Sequence, residues 1–211
     1  MEFFDQYKDD MLLYVRNRLE LYDTAENPML KIPFSRFEHT MRVYQWMERL
    51  YKAYPDNSCL DLEALLIATI FHDVGYCDID NINDHARISA KLCREYLTDR
   101  KYPMEKIDFI CDIVGRHSDK ETLHDDIPVE LVLLMEADLL DNTGAQGLVL
   151  DIWSESARGK NVSFQSILAH MEKYTVKMMQ DNPMRTDEGI RIWNIKKKLS
   201  EEFVQSYRED I

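Results

Sequence analysis

The chain has 211 residues, with 26 basic and 39 acidic side chains, a formal net charge of −13, and 45% hydrophobic residues. That size and balance suit one compact domain, or a core with a helical extension, and exclude a disordered or low-complexity chain. The acidic field repels long polyphosphate backbones, so long nucleic acid is excluded as an expected partner, whereas a small phosphorylated metabolite stays open because a bound dication and a few arginines reverse the potential locally.

The longest apolar run, Ala64 to Phe71, is too short to span a bilayer and leads directly into His72-Asp73. Met1 to Asp10 has no basic segment followed by an apolar stretch, so no export signal is expected and the expected location is cytoplasmic, away from membranes. Cys59, Cys77, Cys93 and Cys111 form no C-x-x-C pair and are expected as small buried hydrophobes, not structural zinc ligands.

Apolar residues recur at helical spacing throughout, and no run alternates with period two, so an all-α fold is expected. A first helix is expected from about Phe3 to Asp23, then a loop containing Pro28 and Pro33. Ser35-Arg36-Phe37-Glu38 fits a capping box, after which His39, Val43, Trp46, Met47 and Leu50 share one helical face. A third helix, expected to start near Asn57 or Ser58, aligns Leu62, Leu65, Leu66, Thr69, His72 and Asp73 and is expected to stop at Gly75 in a left-handed cap. It is apolar almost all round and should be central. Asp84 is the expected cap of a helix aligning His85, Ile88, Leu92 and Tyr96. The segment after Pro103 aligns Ile107, Ile110, Cys111, Val114 and His117. After Pro128, Leu131, Leu134, Met135 and Asp138 make one stripe, with Asp141 close to it and Gly144 near the end. Two or three helices should fill Ala145 to Ile211, with breaks around Gly159 to Ser163 and at Asn182-Pro183.

Polar residues thus fall on the apolar stripes of different helices: His39, His72 or Asp73, His85, His117 and Asp138. Inward carboxylates need compensating partners, and a shared metal supplies them. Mixed imidazole and carboxylate ligands suit a divalent ion such as manganese, iron, cobalt, nickel or zinc, with a magnesium site expected to be lined by oxygen. Neighbours inside a helix diverge, so His72 and Asp73 reach one ion only where a helix ends. His124 and His170 lie outside the pattern and read as ordinary hydrogen-bonded histidines.

Three segments, Ser35-Arg-Phe-Glu-His-Thr-Met-Arg-Val43, Ile70-Phe-His-Asp-Val-Gly-Tyr76 and Glu136-Ala-Asp-Leu-Leu-Asp-Asn-Thr-Gly144, resemble the successive motifs of the HD-domain metal-dependent phosphohydrolase superfamily. The resemblance spans roughly Ser35 to Gly147. It implies an all-α HD-domain helical bundle with additional N- and C-terminal helices: one domain over residues 1–211, a core at about 35–147 and a helical extension at about 148–211. It also implies that His39, His72, Asp73 and Asp138 bind a divalent metal, Mn, Fe, Co, Ni, Zn or Mg, one or two ions per chain. His85 and His117 match positions that hold a second metal in some branches, and Asp141 is placed to fix a ligand histidine. Two positions depart from the pattern: Tyr76 stands where many catalytic members carry a lysine or acidic residue, and Leu139 stands where related sequences often have arginine.

The implied activity is hydrolysis of a phosphate ester or anhydride in a small phosphorylated metabolite, nucleotides included, by metal-activated water. Asp73 is expected to orient that water or accept its proton. Arg36, Arg87, Lys91 and Arg116 are the cations available to phosphate. Arg36 and Arg116 are preferred for their closeness to ligand positions, and Lys91 reads as part of a solvated face. The alternatives are a di-iron HD-type oxygenase and a non-catalytic ligand-sensing module.

Overall fold

The computed structural model describes residues 1–23, 35–158 and 161–211. Among these the chain is helical and contains no strand: α1 (Glu2–Asp23), α2 (Arg36–Ala53), α3 (Leu62–Phe71), α4 (His85–Asp99), α5 (Met104–Arg116), α6 (Val129–Asp141), α7 (Ala145–Arg158), α8 (Phe164–Met171) and α9 (Asp187–Asp210). The expected loop at Pro28 and Pro33 lies outside the described residues, as do Gly159 and Lys160 of the expected break after α7.

α3 is the pivot of the packing, as its all-round apolarity predicts. Every side chain from Glu63 to Phe71 is buried, and α1, α2, α4, α5 and α6 all pack against it. Each fully buried Leu65, Ile67, Ile70 and Phe71 contributes about 1.5–3 kcal/mol relative to exposure. Its start is displaced from the expected position, because Asn57–Cys59 forms only a short 3-10 turn. The α-helix begins after Asp61, whose carboxylate accepts the Ala64 N–H at 3.0 Å. Buried Glu63 accepts from the Phe4 N–H at 3.0 Å and the Tyr102 hydroxyl at 2.8 Å, so it ties α1 and the start of α5 to the core.

α2 begins with half of the expected capping box: the Ser35 hydroxyl accepts the Glu38 N–H at 3.0 Å, and no return bond from the Glu38 carboxylate to the Ser35 N–H is found among the described residues. The α4 cap differs. Asp84 occupies the cap position, but its carboxylate makes no cap bond and pairs with Arg87 at 2.7 Å.

The C-terminal helices join the core through buried Glu136 on α6. Its carboxylate accepts the backbone N–H groups of Arg185 at 2.5 Å and Thr186 at 2.9 Å, and so anchors the segment that starts α9. α7, α8 and α9 also enclose a smaller cluster of Leu148, Met171 and Val204, and one π-helical turn, Glu172–Val176, follows α8. Gly144 after α6 has φ of +66°, a left-handed conformation suited to glycine. Cys93 and Cys111 are buried as expected, whereas Cys59 is exposed because the 3-10 turn carrying it lies at the surface, and Cys77 is half-buried. Among the described residues no helix is long and apolar enough to cross a membrane.

Candidate metal centre

The helices place four histidines and two aspartates around one point. α3 ends at Phe71, His72 keeps helical dihedrals, and Asp73 departs with φ −110° and ψ 5°, so the two adjacent side chains converge instead of diverging. His39 comes from the first turn of α2, Asp138 from the last turn of α6, His85 from the first residue of α4, and His117 from the C-terminal cap of α5.

Gly75 has a different role from the expected left-handed cap. It sits in the 3-10 turn Val74–Cys77 with no positive φ. A Cβ there would lie 2.0 Å from the His85 carbonyl oxygen, and its N–H donates to the Ser89 hydroxyl at 2.7 Å. The glycine is needed because α4 approaches the backbone closely, which carries His85 into the site.

The tautomers are set by neighbours. His72, His85 and His117 each place Nδ1 against the carbonyl three residues earlier: Thr69 at 2.8 Å, Ile82 at 3.0 Å and Val114 at 2.7 Å. A carbonyl only accepts, so each Nδ1 carries a proton and each ring turns its Nε2 inward. His39 Nδ1 meets Asp141 Oδ2 at 2.7 Å, and Asp141 is clamped in turn by Arg42 through Nε at 2.8 Å and Nη2 at 3.0 Å.

Inward-facing Nε2 atoms meet carboxylate oxygens. His39 Nε2 lies 3.3 Å from Asp73 Oδ2, 3.2 Å from Asp138 Oδ1 and 3.4 Å from His72 Nε2, and His72 Nε2 lies 3.5 Å from Asp73 Oδ2. Ligands about 2.1 Å from one ion stand about 3.0 Å apart at octahedral angles and about 3.4 Å apart at tetrahedral angles, so the contacts of His39 with Asp138, His72 and Asp73 have the spacing of ligands on one ion. Asp73 turns its other oxygen, Oδ1, to His117 Nε2 at 3.3 Å and His85 Nε2 at 3.5 Å. One carboxylate thus faces two groups of histidines. The Nε2 lone pairs of His72, His85 and His117 that face Asp73 have nothing to bond to without a cation between them, and His39 Nε2 bonds Asp138 and Asp73 only while it holds a proton, which makes the donor set fit a divalent metal.

Electrostatics agree with that reading. Burial works against a charged His39, but hydrogen bonds to Asp138, Asp141 and Asp73 outweigh it and raise the ring to about 10, so the carboxylates call for positive charge at this point. Burial drives His72 down to about 4, which keeps it neutral. For Asp73, burial acts upward and is overcome by His72 and Arg36, leaving the carboxyl well below the usual range. It stays ionised and is a poor proton acceptor near neutral pH.

The family description for the HD domain matches residues 36–143, just over half of the chain. The chain belongs to the HD domain family. Its fold is similar to that of an HD-superfamily hydrolase from Bacillus thuringiensis, at 16% identity and a TM-score of 0.70, covering 98% of this chain and 97% of that one. It is also similar to Bacillus subtilis YpgQ in complex with ADP, at 20% identity, a TM-score of 0.68 and coverage of 98% and 95%. A predicted HD-superfamily hydrolase from an uncultured Thermotogales bacterium matches at 16% identity, a TM-score of 0.64 and coverage of 97% and 92%. No curated protein matches the sequence.

Around this cluster, Arg36 donates from Nη1 to Asp73 Oδ2 at 3.1 Å and lies 4.1 Å over the Tyr76 ring, which also stacks on His85 at 4.3 Å and meets the Tyr22 ring edge-on at 5.3 Å. The Arg36 Nε is buried with no partner among the described residues. Arg116 is not brought in: its Nη1 pairs with Asp112, one turn back on α5, and both side chains are at least 40% exposed. Arg87 and Lys91 also face outward, paired with Asp84 and Glu95. Sequence reasoning missed two cations. Lys120, in a 3-10 turn after α5, bonds Asp138 Oδ2 at 2.8 Å, and no local pattern links residues 18 apart. Arg42 does carry a signal, because it stands three residues after His39, as Asp141 does after Asp138, and both spacings keep neighbours on one helical face.

Proposed function

We propose that this chain is a metal-dependent phosphohydrolase acting on a small phosphorylated metabolite, with nucleotides the favoured class. The observation that carries the reading is the set of inward Nε2 atoms of His39, His72, His85 and His117 facing Asp73 and Asp138 at 3.2–3.5 Å. His39, His72, Asp73 and Asp138 would hold one divalent ion, and Asp73, His85 and His117 a second. When bound, such ions supply Lewis acidity toward a phosphoryl oxygen and lower the pKa of a coordinated water.

The protein side chains prepare the site for an anion. Asp73, Asp138 and Asp141 each already have a cationic partner in Arg36, Lys120 and Arg42, so bound metal charge is left largely uncompensated and attracts phosphate despite the chain's net charge of −13. Arg36, whose guanidinium lies 4.1 Å over the Tyr76 ring and whose Nε has no partner among the described residues, is the group best placed to receive a phosphoryl oxygen, and Lys120 offers a second cation beside Asp138. Asp141, backed by Arg42, orients His39. Tyr76 takes no proton here. Burial pushes its hydroxyl up to about 12, and the stack on His85 gives it a positioning role. Nucleotides are favoured because the similar fold of YpgQ was solved with ADP.

Protein with its metal content measured, assayed for phosphate or pyrophosphate release from a nucleotide panel and an aryl phosphate, tests this. Metal-dependent release that is lost in a folded Asp73→Asn protein is expected, and no release from metal-loaded protein across the panel refutes it. A carboxylate shared between two histidine groups also suits a di-iron oxygenase; two irons per chain with a mixed-valent signal and no hydrolysis would favour that reading.

A further inference from the structure

His39 has a second side. Its Nε2 faces the ligand cluster, while Nδ1 points the other way to Asp141, and beyond Asp141 lies a cavity of about 460 Å³ whose lining includes Arg42, Trp46, Arg49, Gln146 and Lys196. None of His39, His72, Asp73 and Asp138 lines it. Its volume falls in the range of small-molecule sites.

The charge in this cavity runs opposite to the acidic chain. Arg42, Arg49 and Lys196 converge there, against Asp141, which already accepts from His39 and Arg42, and Glu188, which binds Arg49 through Nε at 3.1 Å and is shared with Arg191 at 2.7 Å. Lys196 makes no ion pair among the described residues: its Nζ donates to the Thr143 carbonyl at 3.1 Å and sits 4.9 Å over the Trp46 ring. Burial and Arg49 lower its pKa against an upward pull from Asp141. Gln146 Nε2 is buried with no acceptor among the described residues. A buried donor without an acceptor is unfavourable, and so is a half-buried ammonium whose attracting carboxylate, Asp141, is already bound by Arg42. One phosphate group satisfies both.

We propose that this cavity binds a phosphate-bearing small molecule at a site separate from the metal centre and joined to it through Asp141. A phosphate drawing on the Arg42 guanidinium loosens its clamp on Asp141, which leaves more of the Asp141 charge on the His39 Nδ1–H and makes Nε2 a stronger donor. The source of the phosphate is either a free anion or a nucleotide, and the recognising chemistry is the same.

Trp46 is a built-in reporter. The metal-loaded full chain is titrated separately with inorganic phosphate and with ADP while tryptophan emission is followed, a readout that needs no turnover and so stands or falls apart from the hydrolytic reading. A saturable change is expected in the wild type and in Asp73→Asn, absent in Trp46→Phe, with the midpoint weakened roughly tenfold in Lys196→Gln and in Arg49→Gln, the cost of one charge-assisted hydrogen bond. The probe that saturates at lower concentration identifies the source. The proposal is overturned if neither probe gives a saturable change, if the change persists in Trp46→Phe, or if it survives both cation variants and vanishes in Asp73→Asn, which would place the anion at the metal.

Discussion

Gly75→Ala separates the two halves of the metal centre without touching a ligand. The new Cβ would lie 2.0 Å from the His85 carbonyl oxygen and 2.7 Å from the Ser89 nitrogen. Ordinary contact is about 3.5 Å, so the start of α4 must retreat by more than about 1 Å, and both neighbours are backbone that cannot swing aside. Overpacking of this kind costs about 1–3 kcal/mol, and straining the Gly75 to Ser89 hydrogen bond adds about 1 kcal/mol. For a chain of this length that corresponds to a melting temperature lower by about 4–16 °C. His85 moves with α4, away from Asp73 Oδ1, whereas His39, His72 and Asp138 belong to other helices. Calorimetric melting and metal analysis should therefore show a destabilised protein holding one ion fewer per chain. A melting temperature within about 2 °C of wild type together with unchanged metal content would refute the assignment of Gly75 as a close-approach residue that places His85.

Asp141→Asn removes the charge behind His39 and should weaken metal affinity about 10–100-fold in chelator competition while the helical signal is kept; unchanged affinity would remove Asp141 from the metal centre. In the metal-free chain His39, raised from 6.5 to about 10, adds stability that is complete below about pH 6.5 and lost as pH rises through about 10. Metal binding at about pH 7.5 must then displace that proton, and calorimetry in buffers of different ionisation enthalpy should count about one proton released per chain, with zero as the refuting result. Arg36→Lys keeps the charge but loses the guanidinium over the Tyr76 ring and should lower kcat/KM roughly tenfold or more in a chain that still binds metal; full activity would show that the guanidinium does not meet the substrate.

Local chemistry was legible from the order of residues. The Ser35 cap, the buried α3 and the inward stripes of α2, α5 and α6 follow from spacing alone, because backbone hydrogen bonding and period are properties of a segment. The structure differs from these expectations where a distant element approaches, as at Gly75, or where a charged neighbour one helical turn away competes, as at Asp84 and Arg116. Gly75 was read as a cap because glycine after a helix usually is one, and the approach of α4 was invisible. Asp84 was read as a cap because of its position, but Arg87 one turn on competes for its carboxylate. Arg116 stands next to His117 in sequence, yet adjacent residues on a helix diverge, and Asp112 holds it to the outer face.

By itself the sequence determined the all-α class, the buried central helix and the identities of the side chains that converge, since each depends on residue type and helical period. Only the tertiary structure decided that Asp73 turns one oxygen to His39 and His72 and the other to His85 and His117, that Lys120 and Arg42 reach Asp138 and Asp141, and that a cationic cavity lies behind His39. These are distances between helices far apart in the chain, for example the 102 residues between His39 and Asp141, and packing sets them, not local propensity.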